Sequence, residues 1–199
     1  MRAATGGDPA AVRDHILDAA HRVIEGHGLS AASTRAIAAE AEIGSGTIYN
    51  YFDGRLQLVA QAILHHTHQL ALPLAAFPDR AGRSTVSRNL RHFAKLVDTV
   101  LVEVVPLMAA AFADPELLDT LRDEMAAHDP SAAGVEVVTS YLEAECELGR
   151  VATGADCGAA AATVVALCHD LAFQRYLHGH TGERKVPTRE LDLIASALR

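Results

Sequence analysis

Apolar residues recur every three or four positions along almost the whole chain, which is the period of an α-helix. No long run of Val, Ile or Thr alternates with polar residues as a strand would. Capping residues and prolines mark helix starts at Asp8-Pro9, Ser33, Asp53, Asp114-Pro115 and Thr188. Glycines and a proline mark helix ends at Gly26, Gly28 and Pro73. The pattern predicts an all-α protein of about ten helices.

The predicted helices are Pro9–Gly26, Thr34–Glu42, Thr47–Tyr51, Asp53–Leu72, a helix carrying Leu90–Val104, Pro115–His128, Val135–Leu148, Asp156–His178 and Arg189–Leu198. Phe77–Gly82 is predicted to be a loop, because it contains Pro78 and Gly82. Pro106 is predicted to kink or restart the helix that reaches it. Asp129-Pro130 is predicted to separate two helices.

Composition favours a soluble cytoplasmic protein of one or two compact domains. The chain has 199 residues, of which 50% are hydrophobic and 21% charged. The longest strongly apolar stretch, Ala159–Cys168, is shorter than the roughly 20 residues that a membrane span needs, so no membrane partner is expected. Met1–Asp8 lacks the apolar region of a signal peptide. The three cysteines are therefore expected to be reduced thiols.

The charge balance excludes a protein that coats nucleic acid with a uniformly basic surface. The formal net charge is −8, and residues 1–60 contain five arginines and seven acidic residues. A nucleic-acid site must therefore be a local patch.

The segment Ser33–Arg55 has the layout of such a patch. Two short helices joined by a tight glycine-containing turn form a helix-turn-helix, whose second helix enters the DNA major groove. Hydroxyl, amide and tyrosine side chains in the second helix suit base edges, thymine methyls and phosphates. These side chains are Thr47, Tyr49, Asn50 and Tyr51, and Arg35 and Arg55 flank them. The alternative is a helical hairpin whose aromatic residues only pack together.

The run Ala41-Glu42-Ile43-Gly44-Ser45-Gly46-Thr47-Ile48-Tyr49-Asn50-Tyr51-Phe52 resembles the core DNA-binding motif of the TetR family of bacterial transcriptional regulators. The resemblance covers about the first 60 residues. It implies a three-helix DNA-binding domain over residues 1–55, and a helical effector-binding and dimerisation domain over residues 56–199. It also implies a homodimer that binds double-stranded operator DNA and responds to a small molecule, with no cofactor and no enzymatic activity.

The resemblance also assigns roles to residues of the motif. It implies that Thr47 and Tyr49 meet the operator in the major groove, that Asn50 reads bases, and that Tyr51 and Arg55 contact phosphates. Ile48 and Phe52 are expected to face inward. The full set of candidate DNA-binding residues is Arg35, Ser45, Thr47, Tyr49, Asn50, Tyr51 and Arg55.

Three positions depart from the family pattern. Gly44 replaces a Ser or Thr helix cap, Ser45 replaces a common Lys or Arg, and Asp53 brings a carboxylate close to the DNA. These changes predict a modest salt dependence of DNA binding.

The rest of the chain supplies apolar helix faces for a dimer interface and a ligand pocket. The predicted dimer residues are Val138, Tyr141, Ala161, Val164, Val165, Cys168 and Tyr176. The predicted effector residues are His68, Phe93, Val97, Val104, Met108, Phe112 and His169, which suit an apolar or aromatic ligand. The alternative for any of these side chains is the ordinary core of the protomer.

The histidines and cysteines raise a rival function. Among clustered histidines only His65 and His68 have the i,i+3 spacing of helical metal ligands, and no C-x-x-C motif occurs. No metal is therefore expected. Three hypotheses remain: a ligand-responsive regulator, most commonly a repressor released by its effector; a metalloprotein or enzyme using His65 and His68; and a helical ligand-binding protein without DNA affinity.

Overall fold

The computed structural model describes residues 8–126, 130–179 and 186–199. Within these ranges it contains nine α-helices, two 3-10 helices and no strand, which confirms the all-α class. The α-helices are α1 Pro9–His27, α2 Thr34–Glu40, α3 Ser45–Ile48, α4 Arg55–Ala71, α5 Val86–Phe112, α6 Pro115–Met125, α7 Pro130–Glu147, α8 Cys157–Leu177 and α9 Thr188–Ala197. The 3-10 helices are Leu29–Ala31 and Leu72–Arg80. Asp129, predicted to lie between two helices, is outside the described residues.

Side-chain caps begin several helices where the sequence places them. Asp8 accepts a hydrogen bond from the Ala10 amide at 3.1 Å, and Ser33 accepts one from the Ala36 amide at 3.1 Å. Asp114 caps α6 in the same way. The prediction for Asp53 differs, because its own backbone N–H donates to Gln57 Oε1 at 2.8 Å. The long side chain of Gln57 reaches back to an amide that no helical carbonyl can satisfy.

Two breaks predicted from proline are continuous helix in the structure. α5 runs through Pro106 as one helix, so the predicted restart does not occur. The predicted loop from Phe77 is instead part of the 3-10 helix Leu72–Arg80. Phe77 is 1% exposed there, so burial of its ring fixes the segment.

The described residues divide into two compact units. Unit 1 is drawn from 1–69 and 107–128, and its core lies where α1, α2, α3, α4 and α6 bury one apolar face each. Fully buried members include Ile16, Ile37, Leu58 and Leu121. Because the units are defined by packing and not by function, the predicted functional boundary after residue 55 stays a prediction.

Unit 2 is drawn from 70–106 and 129–199, and α7 packs against both α8 and the 3-10 helix Leu72–Arg80. Its core includes an aromatic cluster in which the Phe77 ring lies 5.0 Å from Phe93 and 4.7 Å from Tyr141, measured between centroids. Tilted ring pairs at these separations are favourable.

A buried polar network lies beside that aromatic cluster. Asn89 donates to the Tyr141 hydroxyl at 3.0 Å, and that hydroxyl donates to Glu145 at 2.7 Å. Arg150 pairs with the same carboxylate at 3.2 Å. Asn89, Tyr141 and Glu145 are all 0% exposed, so the network satisfies groups that would otherwise be costly to bury.

Helix α8 is apolar on nearly all sides. By length and composition it could cross a membrane, since an 18-residue window has a mean hydropathy of 1.3. The strongly apolar stretch Ala159–Cys168 is only part of this helix, so the sequence pattern did not predict its full apolar length. One third of the window is buried within the protein, and core helices of soluble proteins share this composition.

Candidate nucleic-acid interface

The turn between α2 and α3 is a Schellman motif that ends α2. The Ile43 amide donates to the Ala38 carbonyl at 3.0 Å, and the Glu42 amide donates to the Ala39 carbonyl at 3.2 Å. Glu42 has φ 55°, the left-handed conformation that this position requires and that glycine adopts most readily. Ile43 then packs against the unit 1 core. The turn therefore fixes where α3 begins.

Helix α1 holds the end of α2 beside this turn. His15 Nε2 lies 3.0 Å from the Ala41 carbonyl oxygen, one of the last carbonyls of α2. Arg22 Nε donates to Glu40 Oε1 at 2.6 Å, also near that end. A cationic or donor side chain at a helix C-terminus is favourable because of the unpaired carbonyls there.

Helix α3 is a single turn, which is anchored by buried side chains on its inward side. Ile48 is 0% and Phe52 is 2% exposed, which confirms that both face inward. The Arg13 guanidinium lies over the Phe52 ring, 5.4 Å from its centroid, a cation–π contact that covers the anchor. The predicted α3 began at Thr47, but the observed one is Ser45–Ile48.

Opposite the anchor, α3 and the two residues after it present short polar and aromatic groups to solvent. Tyr49 is 62% exposed, and Ser45 and Asn50 are exposed as well. Thr47 is half-buried. The structure thus brings four of the seven candidate DNA-binding residues onto one exposed turn.

The other three candidate DNA-binding residues differ in their exposure and in their contacts. Arg35 on α2 is exposed, whereas Tyr51 is half-buried and packs against the unit 1 core. Arg55 donates to the Ala32 carbonyl at 3.0 Å and to the Leu29 carbonyl at 2.9 Å.

Arg55 therefore braces the segment that leads into α2, a role that the sequence analysis did not predict. No sequence signal could show it, because its partners are backbone carbonyls of residues more than twenty positions earlier. Its contact with a phosphate stays a prediction.

Residues 16–62 match the family model "Bacterial regulatory proteins, tetR family". The chain is TetR-like. The matched segment begins inside α1 and ends inside α4, so it contains the whole turn, the anchor and the exposed face of α3. The part of the chain that this match describes is therefore the helix-turn-helix segment, residues 16–62. No curated protein matches the chain in sequence.

Solved structures share this TetR-like fold. A protein described as a TetR-family transcriptional regulator from Mesorhizobium loti superposes with a TM-score of 0.74 at 18% identity, covering 94% of this chain and 93% of that one. FadR from Bacillus subtilis, in complex with stearoyl-CoA, gives 0.58 at 15% identity, with 93% and 96% covered. Reduced NemR from E. coli gives 0.61 at 12% identity, with 95% of each covered. At these identities the likeness establishes the fold.

The predicted effector residues of the TetR-like chain fall in both units. His68, Met108 and Phe112 belong to unit 1, and His68 and Phe112 are exposed. In unit 2, Phe93 is 0% and Val97 is 6% exposed, so both belong to the unit 2 core, and their contact with an effector stays a prediction. Val104 is half-buried.

Unit 2 contains an apolar groove of ≈ 360 Å³ that the sequence analysis missed. It lies between α5 and α8 and is lined by Leu101, Val102, Val105, Pro106, Ala172, Arg175, Tyr176 and Gly179. Arg175 pairs with Asp98 at 2.6 Å at this groove. Three of the eight lining residues, Ala172, Arg175 and Tyr176, come from α8, the helix that supplies most of the predicted dimer residues.

Most of the predicted dimer residues lie inside the protomer. Val138, Tyr141, Ala161 and Val164 are 0% exposed, and Val165 and Cys168 are 6% exposed. All six side chains belong to the unit 2 core. Val165 also lines a groove on the outer face of α7 and α8, and the contact of these residues with a partner stays a prediction. Tyr176, at 44% exposed, keeps a free surface.

The outer face of α7 and α8 is exposed, unlike the core residues just described, and many of its side chains are small. A shallow groove there is lined largely by small side chains, among them Thr139, Ser140, Ala162 and Ala166. His169, predicted to contact the effector, lies on this face and is exposed.

The histidines assigned to the rival metal site do not form one in the described part of the chain. His65 lies 3.4 Å from Asp18 and 4.0 Å from Asp14, and His68 is exposed elsewhere on α4. Among the described residues no group of three His, Cys, Asp or Glu side chains is arranged to hold a metal ion.

Proposed function

We propose that this protein is a ligand-responsive transcriptional repressor that binds a palindromic operator as a homodimer in the cytoplasm, without enzymatic activity. The observation that carries the proposal is the geometry of α3. Ile48 and Phe52 anchor one side of the turn, and Tyr49 and Asn50 project from the other. A rigid, narrow turn with an exposed tyrosine and amide suits entry into a major groove about 12 Å wide.

The interface must gain its affinity from shape and hydrogen bonding. Exposed Arg35 is accompanied by exposed Glu42 and Asp53, so the local charge is not strongly positive. Each phosphate that a cation neutralises releases counterions and adds to the salt dependence of binding. We therefore expect a shallower salt dependence than that of a regulator with a basic recognition helix.

Dimerisation is proposed to use the outer face of α7 and α8. Small side chains such as Ala162 and Ala166 permit close approach of a second helix pair, and Phe173, at 46% exposed, adds apolar area to the same helix. Two protomers would present two copies of α3 to half-sites related by two-fold symmetry. Replacing Ala166 by Arg should abolish the dimer in sedimentation without unfolding the protomer.

The effector is proposed to be apolar and to bind in the groove between α5 and α8. Its volume of ≈ 360 Å³ falls in the range of ligand pockets, and its lining is mainly apolar. The stearoyl-CoA complex of the similarly folded FadR makes stearoyl-CoA and stearate reasonable first probes. An effector that prefers the form with low operator affinity by about 1–3 kcal/mol would weaken DNA binding 5–150-fold.

The first experiment is selection of bound DNA from a library of random duplexes by the purified full chain. Enrichment of a palindrome with half-sites about one or two helical turns apart supports the proposal. Tyr49→Ala should then weaken binding to the selected palindrome by about tenfold or more, with an unchanged circular dichroism spectrum. Phe112→Ala is the matched control, because Phe112 is a similarly exposed aromatic residue outside α3.

Failure to enrich any sequence, with a folded dimer, would contradict the proposal. The chain would then be a helical ligand-binding protein whose helix-turn-helix no longer binds DNA. Equal weakening by Tyr49→Ala and Phe112→Ala would contradict the assignment of α3 as the reading element.

A further inference from the structure

Unit 2 contains a concave cluster of basic side chains that none of the functions above uses. The basic pocket is lined by Arg80, Arg88, Arg91, His92, Lys95, Val186 and Thr188, and has a volume of ≈ 400 Å³. Arg80 ends the 3-10 helix Leu72–Arg80, Val186 lies two residues before α9, and Thr188 is its first residue. The other four residues are on α5, at the spacing that brings side chains to one helix face.

Two of these cations are held in place by the protein. Arg91 Nη2 donates to Asp192 and to Ser87 Oγ, both at 2.8 Å, and Arg80 Nε donates to Asn89 Oδ1 at 3.2 Å. Asn89 is fully buried and in turn donates to the Arg83 carbonyl at 2.7 Å. The pocket therefore has a fixed wall of arginines and is not a set of loose surface chains.

The remaining cations have no such role in the fold. Arg88 and Lys95 are exposed, and no carboxylate among the described residues lies within ion-pairing distance of either side chain. Desolvation and the nearby charges of Arg80 and Lys95 lower the pKa of His92 from its ordinary value of 6.5. Desolvation is the larger cause, and the two cations act in the same direction because they disfavour a further positive charge beside them.

Such a cluster is unexpected on a chain whose net charge is −8. Like charges on one helix face at i,i+4 and i,i+3 spacing destabilise the helix by a few tenths of a kcal/mol per pair. The ion pair between Arg91 and Asp192 offsets the repulsion at Arg91, but Arg88 and Lys95 have no ion pair among the described residues. Their positive charge therefore has no partner within the described chain, and a bound anion would supply one.

We propose that the basic pocket binds a small molecule bearing a diphosphate or longer phosphate group. Arginine forks match the geometry of phosphate oxygens, and a lysine adds a mobile point charge. Several cations in one pocket fit a multiply charged group better than a single carboxylate. The volume of ≈ 400 Å³ lies in the range of small-molecule pockets. The proposal does not depend on whether α3 binds DNA.

The test is calorimetric titration of the full chain with inorganic pyrophosphate at low salt. We expect one site per chain, with affinity that falls as salt is raised. Lys95→Gln and Arg88→Gln should each weaken binding by about tenfold, the loss of one hydrogen bond to a charged group. Both residues are exposed, so both variants should fold.

Arg122→Gln is the matched control, since it removes one exposed cation in unit 1 and gives the same net charge as the test variants. Sulfate at equal ionic strength tests for a general salt effect. The proposal is overturned if pyrophosphate shows no binding beyond that of sulfate. It is also overturned if Lys95→Gln and Arg122→Gln bind pyrophosphate equally.

Discussion

Gly46 stands in α3 at a position where the fold itself does not require a glycine. A Cβ atom built there meets no other atom within 4 Å, and Gly46 is not among the residues with positive φ. Glycine in a helix costs up to about 1 kcal/mol relative to alanine. Its use on the exposed turn is explained if the DNA backbone approaches too closely for a side chain.

Gly46→Ala should therefore raise the free energy of unfolding by a few tenths of a kcal/mol to about 1 kcal/mol and weaken operator binding. Gly26→Ala in α1 is the matched control, because a Cβ at Gly26 also meets nothing within 4 Å. The control should share the gain in stability and keep the affinity for DNA. Chemical denaturation and fluorescence anisotropy measure the two effects, and unchanged DNA binding by Gly46→Ala would refute this reading of the glycine.

Glu42 presents the opposite case to Gly46. It has a side chain at a position where the left-handed backbone conformation favours glycine. The end of α7 has the same Schellman hydrogen bonds, and there the left-handed residue is Gly149, with φ 69°. At Glu42 the left-handed conformation costs about 1–2 kcal/mol, part of which glycine would lose again as entropy of the unfolded chain.

Glu42→Gly should stabilise the protein by about 0.5–1 kcal/mol, while Glu42→Gln keeps the strain and should not. Both variants remove a negative charge beside α3, so both should strengthen DNA binding at low salt. A difference between them in unfolding by urea isolates the backbone strain. Equal stability of the two variants would show that the turn is not strained.

At the scale of the element, the polar network between α5 and α7 is sensitive to the loss of a single hydrogen-bonding group, because its members are buried. Removing the Tyr141 hydroxyl leaves Glu145 and Asn89 buried with one partner fewer, while the ring can still pack on Phe77. Tyr141→Phe should lower the free energy of unfolding by about 1–3 kcal/mol. Tyr176→Phe, on an exposed tyrosine, should change it very little. A Tyr141→Phe protein as stable as the wild type in denaturant titrations would disprove the role of the network.

The helices that the sequence predicts well are those with a polar face and a clear start. Ser33 and Asp114 cap α2 and α6 as expected, and Ile48 and Phe52 point inward as expected. Helix α8 is the contrary case, because it is apolar on nearly every side. Periodicity cannot then say which residues face the core, and Val164 was assigned to a dimer surface although it is fully buried.

The sequence could not predict the parts of the candidate sites that depend on contacts between distant residues. The brace formed by Arg55 and the groove between α5 and α8 each need contacts between residues far apart in the chain. The basic pocket is an intermediate case. Its cations on α5 have visible helical spacing, but the contributions of Arg80 and the start of α9 come only from packing.

At the scale of the whole molecule, the buried ionisable groups set the response to alkaline pH. Burial raises the pKa of Cys168 from 9.0 to about 12 and raises those of Cys157 and Tyr141 in the same direction, the last also through its hydrogen bond to Glu145. In the unfolded chain these groups lose protons at their ordinary pKa. Stability is therefore complete below pH 9 and is lost as the pH rises from 9 toward 12, because the unfolded state then binds fewer protons.

The free energy of unfolding should fall above pH 9 with a slope approaching about 1.4 kcal/mol per pH unit for each such group. Cys168→Ala should show a shallower fall than the wild type, whatever its stability at pH 7. Urea titrations at several pH values between 7 and 11 measure this. Parallel curves for the two proteins would mean that Cys168 ionises equally in both states.

The three thiols can be used to measure how often parts of the protein open. Cys146 is half-buried, whereas Cys157 is 8% and Cys168 is 6% exposed, and the last two lie eleven residues apart on the inner side of α8. A thiol-alkylating reagent can reach the inner pair only when the protein around α8 opens. Their rates of alkylation, compared with that of Cys146, would report how often the start and the middle of α8 are transiently exposed, without any added label.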